Sequence, residues 1–251
     1  MLVPLAAVVG YPLLARMLFS LRTLTDVERR QLMDALPQFD ETIAHRIRVW
    51  DTGGRICNAA VVGCVPGFSF VLVSDALLSR LSVRSVAAIL AHEMGHLRMW
   101  HVPMRLCVVF AGGIVGMALV HQAESLGSLQ TAGQIAAMLT TAGYMGLMLH
   151  LVAPLLEFHA DAYAIDALGQ ASGDRRKGVR TLVGALSRLT IFSGLLPNQR
   201  SWLYPSFEER RRAILFQQAS PRFRRWLHGI LAIILFSQLT LIVVCLISLA
   251  N

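Results

Sequence analysis

His92, Glu93 and His96 are the residues whose types and spacing point most directly to chemistry. They lie in Ala91-His92-Glu93-Met94-Gly95-His96-Leu97, inside a run that reads as a helix over 83–101. On a helix, two imidazoles four residues apart face the same way and can both reach one metal ion. Glu93 then sits about 100° round the axis, where its carboxylate meets a water on the metal rather than the metal itself. The plain alternative is a pair of helix histidines packed against their neighbours. It is weakened by a second motif downstream, Glu157-Phe158-His159-Ala160-Asp161. Two carboxylates at i and i+4 share a helix face, and where an apolar helix leaves a membrane they are costly unless something pairs with them. The His-Glu-x-x-His helix enters the same face and supplies that partner.

The elements that must hold these residues are apolar. Of 251 residues, 55% are hydrophobic and 15% charged, and the mean hydropathy is +0.57. This is too apolar for an ordinary soluble domain and predicts membrane segments. The net charge of +8 is almost all arginine. Apart from Arg16, every Lys and Arg falls in 22–105 or 157–226, and none falls in 106–156 or 227–251. That block pattern marks a multi-pass protein with its positive segments on the cytoplasmic side. No basic stripe with groove-reading or stacking elements is present, so nucleic acid is excluded as a partner. Cys57, Cys64, Cys107 and Cys245 have no metal-type spacing and read as small hydrophobes.

In chain order, 1–21 reads as an uncleaved transmembrane anchor, because Arg16 and Arg22 follow the apolar run instead of preceding it. Residues 22–103 form the first part of a composite domain that carries the His-Glu-x-x-His motif. A polar amphipathic helix is expected over 25–44, opened by Thr25 or Asp26. Three strands, at 45–50, 55–63 and 68–73, follow as a small antiparallel sheet. Ser74 or Asp75 caps a helix over 75–81, and Ser82 caps the metal helix, which Pro103 weakens or kinks. Residues 104–156 form a transmembrane hairpin joined by a loop at 122–134. Residues 157–226 are the second part of that composite domain, with a loop at 169–178 and a helix at 179–192, and 227–251 span back out. The fold class is a mainly α membrane protein with a small antiparallel β-sheet.

With these residues in view, the sequence resembles the integral-membrane zinc metalloproteases that include the CAAX prenyl protease and the HtpX-type proteases. Ile89 to His96 and Glu157 to Asp161 carry the resemblance, the latter being similar to that family's Glu-x-x-Ala-Asp. Asn58-Ala59 and Pro205-Ser206-Phe207-Glu208-Glu209-Arg210 are weaker markers. The sequence departs from the family where a His often precedes that late proline, since Tyr204 stands there. BlaR-type sensor peptidases combine similar elements, but the Asn58-Ala59 and Pro205-to-Arg210 markers argue against them.

The resemblance implies a zincin-like (gluzincin) catalytic domain built between transmembrane helices. It also implies one zinc ion per chain held by His92, His96 and Glu157. The expected reaction is hydrolysis of peptide bonds by a zinc-activated water, with Glu93 as general base. Asp161 is expected to accept a hydrogen bond from a ligating histidine and fix its tautomer. Tyr204, Arg210, His159 and Asn58 are candidates for oxyanion or substrate contacts, the strand at Asn58 by pairing with an extended peptide. The partners are a peptide or membrane-protein substrate and the bilayer, with the active site on the cytoplasmic side. A competing class is a zinc-containing membrane sensor or a non-proteolytic partner-binding protein.

Overall fold

The computed structural model describes residues 12–36, 39, 41–64 and 68–250. Most of the 1–21 anchor expected from the sequence lies outside them. The described part of a first helix, α1 (12–18), leads into β1 (Leu21–Arg22), α2 (Asp26–Ala35), α3 (Glu41–Ala44), β2 (Ile47–Trp50), β3 (Ala59–Val62) and β4 (Phe70–Ser74). Then come α4 (Asp75–Arg80), α5 (Val83–Arg98), α6 (His101–Ala123), a 3-10 segment (Glu124–Leu129) and α7 (Gln130–Ser172). The chain continues through α8 (Arg175–Phe192), α9 (Phe207–Ala219) and α10 (Pro221–Ala250).

The expected helix over 25–44 is two helices. Thr25 caps α2 in a reciprocal capping box with Glu28. The helix ends at Ala35 because Leu36 precedes a proline in sequence and takes an extended conformation, φ −141° and ψ 87°.

The sheet is mixed rather than antiparallel, with strand order β1-β2-β4-β3. β3 and β4 form the expected antiparallel pair, but β2 runs parallel to β4 in the register Ile47↔Val71 to Trp50↔Ser74. The reason lies in the connection from β2 to β3. The Asp75 carboxylate at the end of β4 accepts hydrogen bonds from the Thr52 amide (3.1 Å), the Gly54 amide (2.8 Å) and the Thr52 hydroxyl. The link is thereby carried across the end of β4, and β3 lands on its far side as an edge strand. One face of the sheet, with Ile47, Ala59, Val71 and Val73, joins the core beneath α5. The other, with Val62, Phe70 and Leu72, packs on Ala15 and Phe19.

Ser82 caps α5 as the sequence predicts. The helix ends earlier than 101, and Pro103 is not the cause. Trp100 turns left-handed, φ 58°, and joins α5 to α6. Pro103 falls in the first turn of α6, where an amide has no helical partner to lose.

The expected hairpin is present as α6 and α7. Its link at 122–134 is a 3-10 turn reversed at Gly127, φ 55°, rather than a loop. The expected loop at 169–178 is also mostly helical, because α7 runs on to Ser172. Gly173 turns left-handed, and Asp174 caps α8 by accepting from the Arg176 amide. Two helical stretches, His101–Ser172 and Arg222–Ala250, are long and apolar enough to cross a membrane.

Candidate active site

Two helix crossings create the site. α5 presents a face of small residues, Ala88, Ala91 and Gly95, to α7. At Gly95 the backbones approach so closely that a Cβ would lie 3.0 Å from Ala160 Cα and 3.1 Å from its carbonyl oxygen. This approach puts Glu157, one turn before Ala160, against the two histidines of α5. The second crossing brings in α9. Ser206 and Glu209 form a capping box, with Ser206 N to Glu209 Oε2 at 2.7 Å and Glu209 N to Ser206 Oγ at 3.2 Å. That cap starts α9 directly after Pro205 and points Arg210 into the centre. The Pro205-to-Arg210 stretch thus has a physical content: a stop, a cap and one buried cation paired with Asp161.

Three donor atoms converge. His92 Nε2 lies 3.1 Å from His96 Nε2 and 3.3 Å from Glu157 Oε2, and His96 Nε2 lies 3.4 Å from Glu157 Oε1. All three residues are buried. Tetrahedral zinc with bonds of about 2.0–2.1 Å needs neighbouring donors about 3.3 Å apart, so this donor set fits that ion in both chemistry and spacing.

The outer nitrogens of both rings are engaged. His92 Nδ1 lies 2.9 Å from Asp161 Oδ1. Arg210 grips the same carboxylate with two N–H groups, Nε to Oδ2 at 3.0 Å and Nη2 to Oδ1 at 2.6 Å. The Asp161 carboxylate only accepts, so Nδ1–H of His92 donates to it, and Nε2 is the atom that faces the centre. Burial and the Arg210 charge push the His92 imidazole down. Its bonds to Asp161 and Glu157 outweigh them, and it is raised to about 9 with no cation bound. An arriving cation must displace that proton. Burial opposes the Arg210 charge too, yet Asp161 and Glu157 raise it further above its ordinary range.

Glu93 is buried beside these groups and lines a cleft of about 680 Å³ together with His92, His96 and Glu157. Asn58, Tyr204 and Arg210 also line it. Asn58 sits where β3 begins, its amide donating to Ser74 Oγ and its carbonyl accepting from Ser74 N, both at 3.0 Å. Tyr204 stands on the wall with the Arg105 guanidinium 5.8 Å over its ring.

His159 is not on the cleft wall. Two residues beyond Glu157 on α7, it faces about 200° away and sits behind the site. Its Nδ1 lies 2.9 Å from His101 Nε2 and its Nε2 lies 3.4 Å from His228 Nε2. His101 in turn reaches His96 Nδ1 at 2.8 Å and is fully buried. The sequence singled out neither His101 nor Arg105, whose Nη2 lies 3.2 Å from Glu157 Oε1. Arg105 had a usable signal, as the last basic residue before the stretch 106–156, which holds no Lys or Arg. His101 lies beyond the Trp100 joint, so no helical spacing connects it to His96.

Residues 41–220 match the sequence pattern of Peptidase family M48. The chain belongs to that family. Its members are zinc metalloproteases, and this chain carries a buried His-His-Glu group whose donors suit such a metal. No curated protein matches the chain. Among solved structures it is similar to Ste24p of S. mikatae, with a TM-score of 0.64 and 17% identity over 85% of this chain and 55% of that one. The likeness is one of fold, and this chain spans little more than half the length of that protein.

Proposed function

We propose that the protein is a membrane-embedded zinc endopeptidase in which His92, His96 and Glu157 hold one zinc ion and Glu93 is the general base. The observation that carries this reading is the convergence of three buried donors, 3.1–3.4 Å apart, on an open cleft that Glu93 also lines. A zinc ion bound there supplies the Lewis acidity that makes water nucleophilic near neutral pH.

The chain's own groups do the rest. Glu93 takes the proton from the attacking water and delivers it to the leaving amine. Asp161, gripped by Arg210, holds His92 in the tautomer that ligates, and Arg105 orients Glu157 from the other side. β3 is an edge strand whose unpaired side receives an extended peptide by β-augmentation, with the Asn58 side chain, which also lines the cleft, contacting that peptide. Tyr204 contacts the peptide from the opposite wall.

In the same reading α6, α7 up to about residue 156, and α10 cross the bilayer. The arginine-rich segments 22–105 and 157–226 together build the catalytic domain on the cytoplasmic side.

Replacing Glu93 by Gln tests the assignment. Zinc content, measured by atomic emission on purified protein, stays at one ion per chain. Turnover of a casein-like substrate falls by about three orders of magnitude or more. Unchanged turnover in a clean preparation sinks the enzyme reading and leaves the non-proteolytic alternative.

A further inference from the structure

The segment after α8 is exposed along its whole length from Ile191 to Ser201, yet it is rich in large apolar side chains. Ile191 is 67% exposed, Leu196 71% and Trp202 58%, with Phe192 and Leu195 beside them. A solvated loop has no physical reason to display such a patch. The loop is also anchored in an unusual place. The Trp202 carbonyl accepts from His150 Nδ1 at 2.7 Å, and its indole stacks on the His150 ring with centroids 6.3 Å apart. A Cβ at Gly146 would touch the same indole at 3.4 Å.

Both anchor points belong to the apolar, charge-free part of α7. Gly146 lies about 16 Å along the helix axis beyond Glu157, at 1.5 Å per residue. The loop therefore descends from the catalytic centre alongside a helix read as membrane-spanning. Its composition fits such a descent, with the large apolar side chains of Ile191–Leu196 and of Trp202–Tyr204 on either side of a polar run, Asn198, Gln199 and Arg200, whose arginine pairs with Glu209 of α9 at 3.4 Å. It also forms one rim of the cleft, through Phe192, Leu195, Leu196 and Tyr204.

We propose that residues 191–204 are a membrane-inserting rim: the Ile191–Leu196 patch sits in the interfacial layer of the bilayer and Trp202 reaches below it into the hydrocarbon beside α7, so that the cleft opens onto the lipid surface. The proposal rests on the reading of α7 as a span. Its occupant is lipid rather than a protein partner, because the patch continues the apolar surface of α7 at the level where Trp202 is pinned to it.

The test uses the full-length chain reconstituted in phosphatidylcholine vesicles with acyl chains brominated along their length or left unbrominated. The native tryptophans are Trp50, Trp100, Trp202 and Trp226. One variant keeps only Trp202, a second keeps only Trp50 on the sheet, and a third carries a sole tryptophan through Leu139→Trp in α7. Brominated lipid is expected to quench Trp202 at least half as strongly as the α7 reporter and several-fold more than Trp50. Quenching of the α7 reporter with Trp202 no better quenched than Trp50 overturns the rim alone. No quenching of the α7 reporter overturns the span and the rim with it. Because removing tryptophans can unfold the protein, a spin label on Ile191→Cys in a background lacking native cysteines gives a second reading. Collision with oxygen should exceed collision with a water-soluble nickel chelate several-fold, and the reverse ratio contradicts the proposal.

Discussion

Helix α7 passes through two environments. From Gln130 to Leu151 most of its side chains are exposed or half-buried, Met138 and Leu139 among them, whereas from Val152 to Gly169 most are buried. The two halves are also packed by different rules. In the outer half, glycines of α6 receive side chains of α7: Gly112 faces Met145 and Gly116 faces Thr141. In the inner half, backbone meets backbone, at Gly95 against Ala160 and at Gly178 against the Ile165 carbonyl and Gly169. The outer half needs an apolar surface and an approximate fit. The inner half must place donor atoms from two helices within a few tenths of an ångström of a shared point, which flexible side-chain packing cannot do.

The largest test of this contrast is all-or-none. Ser128 lies just before α7 and Ser172 is its last residue, and both are exposed. In intact cells and a background without native cysteines, an impermeant maleimide should label Ser128→Cys and leave Ser172→Cys unlabelled. Labelling of Ser172→Cys from outside would break the membrane half of the comparison.

The next test sharpens the inner half. Glu157→Gln should abolish most zinc binding in a detergent titration. Asp161→Asn should weaken it by only about 10- to 100-fold and still fill at saturating zinc. If Asp161→Asn proved equally or more damaging, the assignment of the third ligand to Glu157 would be wrong.

Packing gives a smaller effect. A Cβ at Gly178 would lie 2.7 Å from the Ile165 carbonyl oxygen and 2.8 Å from Gly169 N, all backbone. Gly178→Ala should therefore cost about 2–4 kcal/mol in thermal or denaturant unfolding. At Gly112 the same Cβ meets the Met145 Cγ and sulfur, which can swing aside. Gly112→Ala should cost less than about 1.5 kcal/mol. Equal costs would erase the distinction between the halves.

The smallest effect lies off α7, at the clamp that sets the sheet order. The Thr52 hydroxyl and the Thr52, Gly54 and Ala76 amides outweigh burial and hold Asp75 at about 2, below its ordinary 3.8. A carboxylate held low stabilises the fold above about pH 4, and that contribution disappears as pH falls through about 2. Asp75→Asn should cost about 1–2 kcal/mol at neutral pH and flatten the acid dependence of unfolding over that window.

What could be read from the sequence divides along similar lines. His92, Glu93, His96, Glu157 and Asp161 were legible because helical spacing is local: once α5 and α7 are helices, residues four apart share a face. The strands and the caps Thr25, Ser74 and Ser82 were legible for the same reason. The parallel pairing of β2 with β4 was not, since it depends on Asp75 gripping a loop some twenty residues away in sequence. His101 and Arg105 were missed because they reach the centre through the Trp100 joint, whose left-handed turn no glycine or proline announces. The Pro205-to-Arg210 stretch was visible as a marker, but its content appeared only when the cap was seen to aim Arg210.

Helix α7 is also a lever. Its 43 residues form a rod about 64 Å long, with Glu157 about 40 Å from the outer end. A rigid tilt of one degree about that end moves the Glu157 carboxylate by about 0.7 Å, comparable to the tolerance of about 0.5 Å within which a site must be held. Pro154 sits just before Glu157 and leaves the His150 carbonyl without its helical amide, so the rod is least stiff beside the centre it serves. The inclination of the apolar half and the position of the third donor are in this way one mechanical coordinate.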